Sequence, residues 1–311
     1  MVAEWRVVLS LDAELVWGFH DHEQMPRERI SHARESWRYI LGLFKEFDVP
    51  ATWAVVGHLF LDCCDGVHAD HPGGEEWFLR DPGGERTEGS EWFGRDLVDA
   101  ISDSTVGHEI GSHSFSHVEF GKRGVSKEVA EAELLQSVDA AEEYGIDLTS
   151  FVFPRNNIGY RELLAEYGFS CYRGRAPDRW YDETAFRLIG KPVTFAFGKS
   201  GPPIVRPETD EHGLVNLPAS MYLFSINGPA RDAMERLTTD PIVRQVKLGL
   251  QRLTDEPEGT LHLWLHPNNV TTERDRVRLR RIVSMIAECR ERYGIEVEPM
   301  SDVVEKFREN E

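Results

Sequence analysis

Two histidines four residues apart, His113 and His117, close the run Gly107-His108-Glu109-Ile110-Gly111-Ser112-His113-Ser114-Phe115-Ser116-His117. The two histidines stand at the end of a predicted strand. If the chain turns helically there, both imidazoles fall on one side, within reach of one metal ion. The competing reading is a pair of polar histidines in a loop. A second constellation is Ser10-Leu11-Asp12-Ala13-Glu14. Side chains alternate along a strand, so Asp12 and Glu14 share a face and Ala13 takes the other. Two bare buried carboxylates would repel. A divalent cation removes that conflict and leaves one carboxylate to act as a base; otherwise one acid caps the strand and the other is solvated. The third constellation is Leu261-His262-Leu263-Trp264-Leu265-His266-Pro267. His266 ends a late strand, at the rim where barrel active sites collect. His262 shares its parity but lies near the opposite end, and is expected to be structural.

These residues need elements to carry them. Short apolar, β-branched runs predict strands over 6–12, 51–57, 108–113, 150–154, 169–173, 213–219 and 260–266. Their near-continuous apolar character implies cover on both faces. Helical patterns fall near 31–47, 93–102, 126–144, 160–167, 230–254 and 271–293, with Ser126 as a start signal and Gly145 as a stop. Alternation along the whole chain predicts an α/β fold with a parallel sheet. No Gly/Ser linker divides it, so a single domain over 1–311 is expected. The acidic, Gly- and Pro-rich stretch 62–91 reads as a surface insertion. The run Phe19-His20-Asp21-His22-Glu23 is expected to be a solvated acidic loop.

The 311 residues carry 54 acids against 35 bases, a net charge of −19. Binding driven by phosphate neutralisation is therefore not expected, so nucleic acid is set aside as a partner. No apolar run reaches the length of a membrane span. The four cysteines, Cys63, Cys64, Cys171 and Cys289, form neither a disulfide framework nor zinc-finger spacing. With no leader-like pattern at Met1–Arg6, a cytoplasmic protein is expected. The bases divide into 7 Lys and 28 Arg. Low lysine with excess acid suits molar salt, where the Debye length falls to about 3 Å and like charges cost little.

Together, the acidic first strand, the H-S-x-x-H run from His113 to His117 and the late His266 resemble the polysaccharide deacetylase family, also called the NodB-homology or carbohydrate esterase family 4 fold. The phrase Val49-Pro50-Ala51-Thr52-Trp53-Ala54-Val55-Val56-Gly57 is similar to that family's second strand. The resemblance implies a distorted (β/α)7-type barrel of about seven parallel strands with surrounding helices. It implies His113 and His117 as metal ligands, one divalent ion, most often Zn2+, and His266 as general acid. The family's first motif commonly has two adjacent aspartates; here Asp12-Ala13-Glu14 looks like a D-x-E version of its D-x-D branch. On that basis Asp12 is the base and Glu14 the third ligand, with exchange of the two roles left open.

Two further motifs match loosely. The family carries an arginine before its prolines that orients the base. This chain has Phe153-Pro154-Arg155-Asn156, and Arg155 is expected to pair with Asp12. Pro177-Asp178-Arg179-Trp180 is the nearest match to an aspartate–tryptophan motif. Trp17, Trp92 and Trp180 could stack on sugar rings, although core packing explains a tryptophan equally well. The implied function is metal-dependent removal of an N-acetyl or similar acyl group from an amino sugar or glycan precursor. Two rivals stand beside it: hydrolysis of a non-sugar amide such as a cyclic imide or ureide on the same fold, and a non-catalytic glycan-binding relative.

Overall fold

A computed structural model describes residues 4–179, 182, 187–226, 228–235 and 239–310. Among the described residues seven strands of three or more residues run parallel: β1 (Glu4–Ala13), β2 (Thr52–Val55), β3 (Glu109–Ser112), β4 (Ser150–Val152), β5 (Cys171–Gly174), β6 (Val215–Pro218) and β7 (Glu258–Leu265). Their order across the sheet is β7-β1-β2-β3-β4-β5-β6. The sheet curls on itself. Beyond β6 the Ala219 N–H donates to the Gly174 carbonyl of β5, and the Ser220 N–H to the His262 carbonyl of β7. The two-residue strand Met221–Tyr222 then pairs with β7. One stretch of chain thus spans both edges and draws the sheet into the expected barrel-like form.

Helices cover the outside: α1 (Arg27–Phe47), α2 (Arg95–Ser102), α3 (Lys127–Glu142), α4 (Arg161–Glu166), α5 (Arg187–Phe197), α6 (Gly228–Glu235), α7 (Pro241–Asp255), α8 (Glu273–Tyr293) and α9 (Met300–Glu309). The single helix expected over 230–254 is two, α6 and α7. Asp240 caps the second by accepting the Ile242 and Val243 N–H groups, and Pro241 occupies its first turn. Proline cannot continue a helix from its N-terminal side but fits the start of a new one. Ser126 caps α3 as expected, accepting the Val129 N–H. Among the described residues no helix is long and apolar enough to cross a membrane.

Strand parity decides what lines the barrel. On β1, Val7, Leu9, Leu11 and Ala13 join the large core beneath the helices. Val8, on the other face, packs with Ala54, Val152, Cys171, Val215 and Leu217 against Met300, Val303 and Val304 of α9. That helix closes the N-terminal end: Met300 N–H donates to the Thr52 hydroxyl, and Ser301 N–H to the Glu109 carboxylate. Above Val8 on the same face come Ser10, Asp12 and Glu14. The interior thus changes from apolar at the plugged end to polar at the C-terminal end, the catalytic side of such barrels.

Candidate active site

Asp12 and Glu14, at the top of β1, are both buried, with 1% and 3% of their surface exposed. Their neighbours differ. Arg173 of β5 donates from Nη1 to Asp12 Oδ1 at 2.6 Å and from Nη2 to Oδ2 at 2.8 Å. It also donates to the Ser10 hydroxyl and the Asn156 side-chain oxygen, and its guanidinium lies 4.3 Å over the Trp264 ring. Burial raises the Asp12 pKa, but Arg173, then His113 and His266, outweigh it and hold the carboxyl below its ordinary range.

Glu14 faces the histidines. Its Oε2 lies 3.1 Å from His117 Nε2 and 3.7 Å from His113 Nε2. Burial pushes Glu14 up, yet His266, His113 and His117 together hold it well below the usual carboxylate range. Asn268 donates to Glu14 Oε1 at 2.9 Å, and Arg29 in turn donates to Asn268. The 3-10 turn Trp17–Phe19 folds over this carboxylate. A Cβ on Gly18 would lie 2.2 Å from Glu14 Cδ, so only glycine admits the approach.

The two imidazoles meet without the helical turn expected after β3. Residues 113–117 form a bend in which Ser114 (φ 62°) and His117 (φ 69°) are left-handed. Such conformations cost about 1–3 kcal/mol each and persist only where the surroundings impose them. Here Gly57 N–H and His58 N–H donate to the Ser114 and Phe115 carbonyls. Behind the bend, the buried carboxylate of Glu133 accepts from the Ser116 N–H and hydroxyl. The ring centroids of His113 and His117 end 5.0 Å apart.

The donor set fits a metal ion. His113 Nδ1–H donates to the Val152 carbonyl at 2.7 Å, which leaves a lone pair on Nε2. That Nε2 is buried without a hydrogen-bond partner and faces a carboxylate. Burial lowers the His117 pKa despite Glu14, favouring the neutral, ligating form. Ligand atoms of Glu14, His113 and His117 lie within 4.8 Å of one another. One carboxylate and two neutral imidazoles carry a charge of −1, which a divalent ion overcompensates by one. On the opposite side His266 Nε2 stands 3.6 Å from Asp12 Oδ2 and 3.8 Å from Glu14 Oε1.

Several expectations need correction. Arg155 does not pair with Asp12. It lies on the rim and donates to Asp21 and Glu119, because Arg155 and Asn156 adopt left-handed φ of 53° and 52° and turn its side chain outward. The arginine on Asp12 is Arg173, which sequence reading missed. Its signal was a lone cation in Phe169-Ser170-Cys171-Tyr172-Arg173, sharing inward parity with Cys171. Trp17 presents no face to a ligand: it is fully buried against His20, His58, Phe78 and Trp92. Trp92 is half-buried and meets Trp17 edge-on. Trp180 lies outside the described residues, and Asp178 is exposed. The acidic run is not wholly solvated, since His20 is buried and Asp21 is held by Arg155. His262 is structural as expected, fully buried with Nε2 2.8 Å from the Ser10 hydroxyl.

The curled parallel barrel thus carries a carboxylate–imidazole cluster at its C-terminal rim. The family model described as polysaccharide deacetylase matches residues 21–169, in agreement with the resemblance seen in the motifs. The matched stretch holds His113 and His117, while Asp12, Glu14, Arg173 and His266 join them through the fold. A protein of Mycobacterium smegmatis assigned as a polysaccharide deacetylase shares the fold with a TM-score of 0.64 at 17% identity, over 100% of this chain and 92% of that one. A protein of Pseudomonas aeruginosa PAO1, likewise assigned, gives 0.61 at 12%, over 98% and 91%. PuuE allantoinase gives 0.61 at 13%, over 98% and 90%. At these identities the likeness is one of fold. No curated protein matches the sequence.

Proposed function

We propose that this chain is a metal-dependent hydrolase that removes an N-acetyl group from an amino sugar or glycan precursor. The observation that carries the reading is the segregation of the two carboxylates: Glu14 beside two imidazoles, Asp12 clamped by a guanidinium. The family match adds the deacetylase class. Glu14, His113 and His117 are the residues to hold the ion, and Zn2+ suits one carboxylate with two imidazoles. Such an ion supplies Lewis acidity and lowers the pKa of a bound water.

The remaining work belongs to side chains. Arg173 keeps Asp12 ionised and fixes both its oxygens, so the carboxylate is oriented to take a proton from the attacking water. Attack forms a C–O bond at the acyl carbon, and the C–N bond breaks. His266, protonated, delivers a proton to the departing nitrogen, a contribution of about 10²- to 10⁴-fold. The products are acetate and the free amine. Asn268 and Gly18 hold Glu14 in place.

A second reading has one observation in its favour, the shared fold with an allantoinase, whose named substrate is a cyclic ureide. The assay is acetate release from N-acetylglucosamine oligomers against ring opening of allantoin, with Zn2+-loaded and chelator-treated protein. Zn2+-dependent acetate release is expected, with His266→Ala keeping metal and losing most of the rate. Turnover of allantoin alone would replace the sugar substrate by the ureide. Full activity after complete removal of metal would reject the metal-dependent reading.

A further inference from the structure

We propose that His58, Cys64, His68 and Asp81 hold a second metal ion, a structural Zn2+ that fastens the 62–91 segment to the barrel. Their ligand atoms lie within 4.8 Å of one another. Asp81 Oδ2 is the hub: His68 Nε2 is 2.8 Å away, His58 Nε2 3.1 Å and Cys64 Sγ 3.4 Å. Zn–S bonds of about 2.3 Å and Zn–N bonds of about 2.0–2.1 Å put tetrahedral ligands roughly 3.3–3.7 Å apart. Cys64 already stands at that spacing from Asp81, and the two imidazoles need only move outward by a few tenths of an ångström (about 0.2–0.5 Å) to reach it.

His58 supplies the observation that points to a cation. Its side chain is fully buried, and its Nδ1 lies 3.3 Å from the Trp92 carbonyl, the only role for which is donor. The lone pair is then on Nε2, which has no hydrogen-bond partner and faces a carboxylate oxygen. Two acceptors in contact inside a protein repel unless a proton or a metal ion stands between them. Asp81 is oriented for the same role, since its other oxygen accepts the Gly83 N–H and Oδ2 is turned toward His58, Cys64 and His68. A thiolate, two imidazoles and a carboxylate form a closed set of four, with no position left for substrate water. This is the signature of a structural zinc site, and soft sulfur favours Zn2+ over Mg2+ or Ca2+. On binding, Cys64 releases its proton to water.

The local backbone is built to bring these groups together. Cys63–Cys64 pairs antiparallel with Gly84–Glu85. Beside this pair Gly66 (φ +73°) and Gly83 (φ +59°) approach so closely that a Cβ on either would meet backbone at 2.9 Å or less. The segment then reaches the first site from behind. Trp77 Nε1 donates to the Ser116 hydroxyl at 2.8 Å, and His71 Nε2 lies 3.2 Å from Glu133 Oε1. Both contacts back the bend that carries His117.

The test is Co2+ substitution into the metal-stripped full-length protein, read by the near-ultraviolet thiolate-to-cobalt charge-transfer band and by bound metal per chain. Only this cluster contains sulfur, so the band reports it independently of the Glu14 site. Wild type should bind two equivalents and show the band. His117→Ala should bind one and keep the band, whereas Cys64→Ser should bind one and lose it. Cys63→Ser should behave as wild type. Limited proteolysis within 62–91 should be suppressed by Zn2+ in wild type and His117→Ala, and not in Cys64→Ser. A single equivalent in wild type without the band, or a band that survives Cys64→Ser, overturns the site.

Discussion

Arg173→Met is the perturbation that tests the site most directly. It removes a fully buried guanidinium whose two donors hold both oxygens of a buried carboxylate. Methionine keeps much of the volume and can still lie against Trp264. What it cannot do is compensate the Asp12 charge. Breaking a buried pair on one side costs about 3–5 kcal/mol, mostly because the remaining charge is stranded. A loss of that size should appear in urea unfolding at pH 8. The pH dependence gives the sign. In wild type the Asp12 pKa is depressed, so its contribution is present above the unfolded value near 3.9 and is lost as pH falls through the folded value. In the variant burial dominates and the folded pKa rises, so the penalty is full at neutral pH and shrinks toward pH 4. Adding Asp12→Asn should recover most of the loss, because no charge is then stranded. For activity, the acid limb of the rate profile should move to higher pH and kcat should fall roughly 100-fold from misplacement of the base. Arg155→Met, on the exposed rim, should change stability by no more than about 1 kcal/mol and leave the acid limb in place. If Arg155→Met moved that limb and Arg173→Met did not, the assignment of the orienting arginine would be wrong.

Other consequences can be checked alongside. His113→Ala, His117→Ala and Glu14→Gln should each lower the metal content at this site, while Asp12→Asn should largely keep it; metal analysis showing Asp12→Asn empty and Glu14→Gln loaded would exchange the two roles. Gly18→Ala forces the Glu14 carboxyl to move and should weaken metal binding by about 10- to 100-fold without unfolding the protein, as read by competition with a chelator. Burial, with Arg173 nearby, pushes the His262 pKa down to about 3, so stability should be full above about pH 6.5 and erode as pH falls toward 3. His262→Gln should flatten that slope in pH-dependent unfolding by an amount on the order of 4 kcal/mol across the range. With a net charge of −19, stability should rise from dilute buffer to molar KCl as self-repulsion is screened, and an unfolding midpoint indifferent to salt would dismiss adaptation to high salt.

Particular residues show where sequence reading succeeds. The seven parallel strands were legible because each buried strand is a short apolar run, and both faces are covered. Asp12 and Glu14 could be placed on one face from strand parity alone. His113 and His117 could be paired by spacing, although the bend that joins them rests on left-handed Ser114 and His117, which no propensity announces. The split between α6 and α7 was written locally, in Asp240-Pro241, and a helical pattern on either side concealed it.

The partners of charged groups are a different matter. Asp12 and Arg173 are 161 residues apart and meet only because β1 and β5 face each other across the curled sheet. Nothing near Arg155 in the sequence says that its side chain turns to the rim. The cluster of His58, Cys64, His68 and Asp81 has no regular spacing, because a 3-10 turn, a short strand and two loops each contribute one atom. Periodicity encodes which face of an element a residue occupies, so the chemistry-bearing types and their common side were set by the chain itself. Which distant face it meets depends on closure of the whole barrel, so the choice of the buried cation for each buried anion belonged to tertiary structure alone.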